Sequence, residues 1–250
     1  MSSALFRFYG PLNDFLAPAH RQATLVCAFR EPASVKDLVE SLGVPHPEID
    51  RLAVDGAFVD FNYRVRDTDR IAAYPSTWNP LLGNEGSLSP VPLEHPRFVA
   101  DVHLGQLAAY LRFAGLDTVY RNEFDDADLA AVSADEDRVL LTRDVGLLKR
   151  GSVTRGYFVR ATEPGRQLVE VLRRFDAADA AAPFTRCVRC NSTLVAVRRD
   201  HILHLLPPRT REEHTEFSRC PACRRVYWRG SHYQRVRAFL DVAFADACRG

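Results

Sequence analysis

No apolar run in this 250-residue chain approaches the roughly 18 residues that a membrane span needs, so a membrane-embedded architecture is not expected. The opening, MSSALFRFYG, is too short and too polar for a secretory leader. Internal repeats are lacking, which argues against a solenoid or propeller. Lysine is nearly missing, with only Lys36 and Lys149, so almost all positive charge is arginine. There is little net charge, +1 overall. The balance of 46% hydrophobic and 26% charged residues is that of an ordinary soluble globular protein. The length is ample for two domains plus a small module. Of six cysteines, Cys27 lies in an apolar segment and Cys248 in the tail; unpaired thiols of this kind suit a reducing cytoplasm.

The other four are Cys187-Val-Arg-Cys190 and Cys220-Pro-Ala-Cys223. Each two-residue spacing lets a tight turn offer two sulfurs to one ion, and four thiolates in a tetrahedron are a structural zinc set with no open position. The alternatives are unrelated thiols or two disulfides. A hairpin over Thr193–Leu206 is expected to fill the long interval. Charge concentrates here. Residues 186–250 carry 13 basic and 6 acidic groups, against 8 and 12 in residues 1–96 and 12 and 14 in residues 97–185. Phe217, Tyr227, Trp228 and Tyr233 are interleaved with Arg219, Arg224, Arg225, Arg229 and Arg235. That mixture suits a nucleic-acid surface, the alternative being a solvated basic face.

Upstream, residues 4–75 read as one small unit. Strands are expected at Leu5–Tyr9 and Thr24–Phe29, then a Ser34-capped helix Val35–Leu42 stopped by Gly43. Arg51–Val54 and Ala57–Val59 flank an Asp55-Gly56 turn, and a last strand follows at 69–75. This ββαβ(β)β order is that of a β-grasp domain. Val35-Lys36-Asp37-Leu38, Val54-Asp55-Gly56 and Asp67–Pro75 resemble the ubiquitin-like sulfur carriers of thiamine and molybdopterin synthesis. Those carriers end in a Gly-Gly carboxylate, whereas this chain runs on through Ser76-Thr77-Trp78, so their chemistry is not carried over. Prolines and glycines mark residues 76–96 as a linker.

Residues 97–176 alternate strand and helix signals, which implies a parallel sheet covered by helices. In such sheets the site lies beyond the carboxyl ends of the strands. Asp101 follows the strand at 97–100, Asp144 follows the strand at 138–142, and Asp126 opens a helix. Each aspartate alone suits an N-cap or strand end. Taken jointly, three carboxylates in one crevice call for a hard cation, magnesium or manganese. Arg143 and Lys149 are placed to meet a phosphate, or are surface charges on a short helix. His201 and His204 sit in an expected strand, on opposite faces, and are poor joint ligands.

Asp126–Ala131 followed by Arg138–Asp144 resembles the second half of a PIN-type nuclease. Phe98–Arg112 is similar to one branch, the Mut-seven C-terminal RNase domain family. The Val226-Tyr227-Trp228-Arg229-Gly230-Ser231-His232 ending resembles that family's zinc ribbon. Many bacterial members also carry the ubiquitin-like segment. The resemblance implies a β-grasp domain at 1–78, a PIN-like α/β domain at 97–180 and a zinc ribbon at 184–240. It implies a metal-dependent ribonuclease with Asp101, Asp126 and Asp144 holding magnesium or manganese, Asp125 or Asp128 replacing or assisting Asp126, and no clear fourth acid. Arg143, Lys149, Arg229 and His232 are the expected substrate-binding residues, and single-stranded RNA is the expected partner. Two other readings stay open: an RNA- or ribonucleoprotein-binding adaptor, and a β-grasp module whose partner is a protein.

Overall fold

The computed structural model describes residues 1–75, 85–90 and 93–249. Of the expected linker, residues 76–84, 91 and 92 lie outside the described residues. The N-terminal sheet begins with β1 (Ser2–Phe8) and β2 (Thr24–Phe29), an antiparallel pair. Inward-facing Ala4, Phe6 and Phe8 alternate with more open residues along β1, the period-two pattern of a half-buried strand. Helix α1 (Val35–Ser41) starts at a reciprocal cap: the Asp37 amide donates to Ser34 Oγ at 3.1 Å, and the Ser34 amide to Asp37 Oδ2 at 3.4 Å. Strands β3 (Ile49–Val54) and β4 (Ala57–Val59) form a hairpin. Its turn is Asp55-Gly56, with φ of 47° and 90°, the left-handed pair that a two-residue type I′ turn requires. Strand β5 (Arg70–Pro75) completes the order β2-β1-β5-β3-β4, with β5 parallel to β1. This is a ubiquitin-like mixed sheet around a core that includes Phe6, Phe8, Leu12, Val35, Val39 and Ile71.

The central segment is α/β. It runs β6 (Phe98–Ala100), α2 (Gly105–Phe113), β7 (Thr118–Val119), α3 (Asp126–Asp135), β8 (Val139–Thr142), α4 (Val145–Leu148), β9 (Gly156–Phe158) and α5 (Pro164–Arg174). Its strands pair in parallel, β6 with β7 and β8 with β9. The C-terminal segment holds β10 (Val195–Val197), α6 (Pro208–Glu213), β11 (Phe217–Arg219), β12 (Val226–Trp228) and α7 (Ser231–Ala247). Its three strands are antiparallel in chain order, over a small core of Ile202, Leu206 and Phe217. The expected Thr193–Leu206 hairpin does not form. Strand β10 pairs with β11 instead, and residues 199–205 make two 3-10 turns whose Ile202 and Leu206 plug the core. His201 and His204 are therefore exposed turn residues, not strand residues. The 17-residue α7 had no counterpart in the sequence reading.

The chain divides into two compact units, each discontinuous. The first comprises Met1–Val91 and Ala130–Phe158; the second comprises Pro92–Leu129 and Val159–Gly250. In the first, the β-grasp segment is bonded to α4 and β9. Glu48 Oε1 accepts the Phe158 amide at 2.7 Å, Phe15 meets Phe158 edge-on at 5.4 Å, and Lys149 Nζ donates to the Glu40 carbonyl at 2.6 Å. Buried His46 lies 2.7 Å from Glu40 Oε1; burial lowers its pKa from 6.5, partly opposed by the Glu40 carboxylate.

In the second unit, α7 packs on α5, with Arg173 donating to the Asp246 carbonyl at 2.8 Å, and its Phe239 meets Tyr110 of α2 at 4.6 Å. Gly115 ends α2 with φ of 85°, and a Cβ there would stand 1.9 Å from the Ala182 carbonyl oxygen. Only glycine permits that approach.

Candidate functional site

The four thiols form two matching knuckles. After the second cysteine of each, Asn191 (φ 68°) and Arg224 (φ 62°) turn left-handed. The backbone then folds back, with the Asn191 amide on the Cys187 carbonyl at 2.8 Å and the Arg224 amide on the Cys220 carbonyl at 3.0 Å. Asparagine tolerates that conformation well; arginine bears it less easily. The result gathers all four Sγ atoms within 4.8 Å of one another. Cys187 and Cys223 sulfurs are 3.5 Å apart, and those of Cys190 and Cys220 are 3.3 Å apart. A tetrahedral ion with sulfurs at about 2.3 Å sets edges of about 3.8 Å, so the thiols are compatible with a zinc site.

Two further donors face the sulfurs. The Cys223 amide points at Cys220 Sγ (3.4 Å), and the Tyr227 hydroxyl lies 3.1 Å from Cys187 Sγ. Burial acts upward on the Cys190 thiol, but hydrogen bonds from Ser192 and the neighbouring sulfurs overcome it and hold the group at about 6. Burial and proton sharing with the other thiols push Cys223 up to about 12. The Cys190 and Cys223 thiols are thus driven in opposite directions, as neighbouring groups that share protons are.

The knuckles are tied to the α/β segment by polar side chains, Arg112 buried and Asn191 and Arg186 half-buried. Arg112 of α2 donates through Nε to the Thr118 carbonyl (2.8 Å) and through Nη1 to the carbonyls of Val188 (2.9 Å) and Arg189 (3.2 Å). Burial lowers its pKa, while the Cys187 and Cys190 thiolates act upward. Asn191 accepts the Thr118 amide at 3.0 Å and donates to Asp117 at 2.7 Å; Arg186 reaches the Gly115 carbonyl at 3.1 Å. Sequence reasoning had no access to Arg112, Asn191 or Arg186. These bonds join backbone carbonyls and side chains some 70 residues apart, with no local spacing to mark them.

The structure describes the three aspartates each in its own element. Asp101 follows β6 directly and is 5% exposed; its carbonyl accepts the Leu104 amide at 2.8 Å, while its carboxylate does not cap the 3-10 turn that follows. Asp126 is the first residue of α3 and is exposed. The cap of that helix is Asp125, whose Oδ1 accepts the Asp128 amide at 2.8 Å, while Asp128 accepts the Asp125 amide at 3.3 Å. Both alternates to Asp126 are thus committed to capping. Asp144 follows β8 and caps α4 through Oδ1, which accepts from Gly146 (2.6 Å) and Leu147 (3.3 Å); its own amide is held by Thr142 Oγ1 at 2.9 Å.

Of the expected substrate-binding residues, Arg143 is exposed and its guanidinium lies 5.8 Å over the Phe158 ring. Lys149 is only partly exposed, with its ammonium on the Glu40 carbonyl. Arg229 and His232 are exposed beside the ribbon, Arg229 3.5 Å from Glu216 and His232 6.0 Å from the Phe113 ring. Among the described residues, no helix is long and apolar enough to cross a membrane.

Two family models match the chain. The Mut7-C RNAse domain matches residues 96–240, and the Mut7-C ubiquitin domain matches residues 1–79. No curated protein and no solved structure matches.

Proposed function

Because the chain belongs to the Mut7-C RNAse domain family, with the family's ubiquitin domain ahead of it, we propose that it is a cytoplasmic, metal-dependent endoribonuclease acting on single-stranded RNA. The observation that carries the reading is the family match across residues 96–240, over the segment in which Asp101 and Asp144 directly follow β6 and β8. Asp101, Asp126 and Asp144 would hold magnesium or manganese, as hard oxygen donors do. A divalent ion bound by them supplies an activated water and steadies charge on the phosphoryl group. The chain's own residues do the rest. The Thr142 hydroxyl and the α4 amides orient Asp144. Arg143, one residue before it and exposed, would meet the scissile phosphate. Lys149 is a weaker candidate for that role, since its ammonium already serves the Glu40 carbonyl. The four cysteines would hold one structural zinc, and the arginine-rich ribbon with Arg229 and His232 would grip the strand.

The test is cleavage of a mixed single-stranded RNA pool with magnesium or manganese, comparing wild type with Asp101→Ala and Asp144→Asn. Loss of about 100-fold or more in rate in both variants, with RNA binding retained, is expected for groups that hold the metal. Unchanged cleavage in either variant would remove that residue from the site.

A second reading has its own support. Asp144 already spends one carboxylate oxygen on the α4 amides, and Asp125 and Asp128 are engaged with each other. A weakened acidic site favours an RNA- or ribonucleoprotein-binding adaptor, which would show salt-sensitive binding without turnover. A protein partner of the β-grasp domain would have to avoid the face that bears Phe15, Glu40 and Glu48, because that face is bonded to α4 and β9.

A further inference from the structure

A run of rings lies in the second unit, apart from the thiols and the aspartates. Phe113, at the end of α2, is 6.2 Å from Phe184 and 6.0 Å from His232 between centroids. Phe184 is 4.1 Å from Tyr233, and the Arg229 guanidinium stands 5.8 Å over the Tyr233 ring. This is not sealed packing. Phe113, Phe184 and Tyr233 are half-buried, while His232 and Arg229 are exposed.

The backbone at Phe184 is a second, independent sign. Its φ is 64°, a left-handed conformation that is an outlier for a bulky side chain. The Phe184 amide, bonded to the Phe113 carbonyl at 2.9 Å, holds it there. Strain of this kind persists where the surroundings over-determine it, and it clusters at ligand clamps. Charge is the third. Residues 186–250 carry 13 arginines and 6 acids, and the Arg229–Glu216 pair is exposed on both sides, so a phosphate can replace Glu216 at little cost.

We infer that Phe113, Phe184, His232 and Tyr233 form a stacking platform for an unpaired base of single-stranded RNA, with Arg229 meeting the adjoining phosphate. The inference rests on RNA as the substrate class, as argued above, and adds how the strand is read: through base faces, with tolerance of sequence. Rings of mixed polarity flanked by arginine fit a nucleic acid better than an apolar protein segment.

The experiment compares a short oligoadenylate with an abasic ribose-phosphate oligomer of equal length and charge. Binding is measured on the full zinc-loaded chain carrying Asp144→Asn, without added magnesium or manganese. The base-bearing strand should bind about 5- to 150-fold tighter, the range for one stacked base. Adding Tyr233→Leu should bring that ratio to within about twofold while leaving the abasic affinity and the salt slope as they were. If Tyr233→Leu fails to fold, His232→Ala, whose ring is exposed, reads the same ratio. Equal binding of both oligomers by the Asp144→Asn chain, or equal weakening of both by the added substitution, overturns the platform but leaves phosphate-driven RNA binding standing. Binding of neither oligomer overturns the RNA reading and the platform with it.

Discussion

Replacing Arg112 with methionine keeps most of the apolar stem and removes the guanidinium that joins α2 to the first knuckle. Three of its hydrogen bonds are 3.2 Å or shorter, to the carbonyls of Thr118, Val188 and Arg189. Bonds to a charged donor contribute about 1.5–3 kcal/mol each, which would total roughly 5–9 kcal/mol if every carbonyl stayed dry. They do not all stay dry. Thr118 is fully buried, but Arg189 is exposed and Val188 half-buried, so water can replace part of what two of the carbonyls lose. The expected net loss is about 3–5 kcal/mol. At about 2–4 °C per kcal/mol, the unfolding transition of the second unit should fall by roughly 10 °C. A zinc ion held by four thiolates is net negative, and Arg112 is the buried cation beside Cys187 and Cys190. Zinc affinity should therefore drop by about 10- to 100-fold, the usual effect of losing an outer-shell partner. Thermal melts followed by near-UV circular dichroism and chelator competition for zinc read the two effects separately. Arg112→Lys, which keeps the charge but not the fork, should fall between. A melting shift under about 2 °C with unchanged zinc competition would refute the reasoning, since it would mean the carbonyls are equally well satisfied by water.

Three further outcomes follow from the same structure. Cys190→Ser or Cys223→Ser should lower bound zinc from one per chain towards none, read by metal analysis, and should loosen the small core of Ile202, Leu206 and Phe217. Glu48→Ala should destabilise the first unit by about 1–3 kcal/mol, because the Phe158 amide loses its acceptor; hydrogen exchange at Phe158 and Tyr157 should rise with it. His46 is held neutral by burial, with a folded pKa below 6.5, so the unfolded chain binds the extra proton first. Its contribution to stability is full above pH 6.5 and is lost as pH falls towards the folded pKa; a His46→Phe variant should lose that part of the acid sensitivity in urea melts run across the window.

Local signals carried most of the N-terminal and central architecture. Strand alternation, the Ser34 cap, the Asp55-Gly56 turn and the aspartates that close β6 and β8 each state their structure within a few residues. What was not legible depends on distant partners. Ile202-Leu203-His204-Leu205-Leu206 has the look of a strand, yet it turns because β10 finds β11 some twenty residues on and the apolar pair is needed as a plug. Helix α7 did carry a signal. Tyr233, Val236, Leu240, Ala243 and Ala247 recur at three and four, but the interleaved arginines mask that stripe. Within the site, the paired knuckle spacing marked the cysteines. That Asp125 and Asp128 cap α3, and that Lys149 serves the β-grasp helix, became visible only with the fold.

The chain threads its two units alternately, leaving the first after Val91, returning at Ala130 and leaving again after Phe158. On the ribosome, the β-grasp segment is made early but waits for α4 and β9 before Glu40, Glu48 and Phe15 meet their partners. A chain cut within residues 76–96 therefore does not yield two finished pieces. The downstream piece would present the Phe158 amide and the Lys149 ammonium without the groups they bond, and the upstream piece would bare the surface that receives them. Prolines and glycines mark residues 76–96 as a break in composition, but the covalent sequence and the cooperative unit of folding part company there.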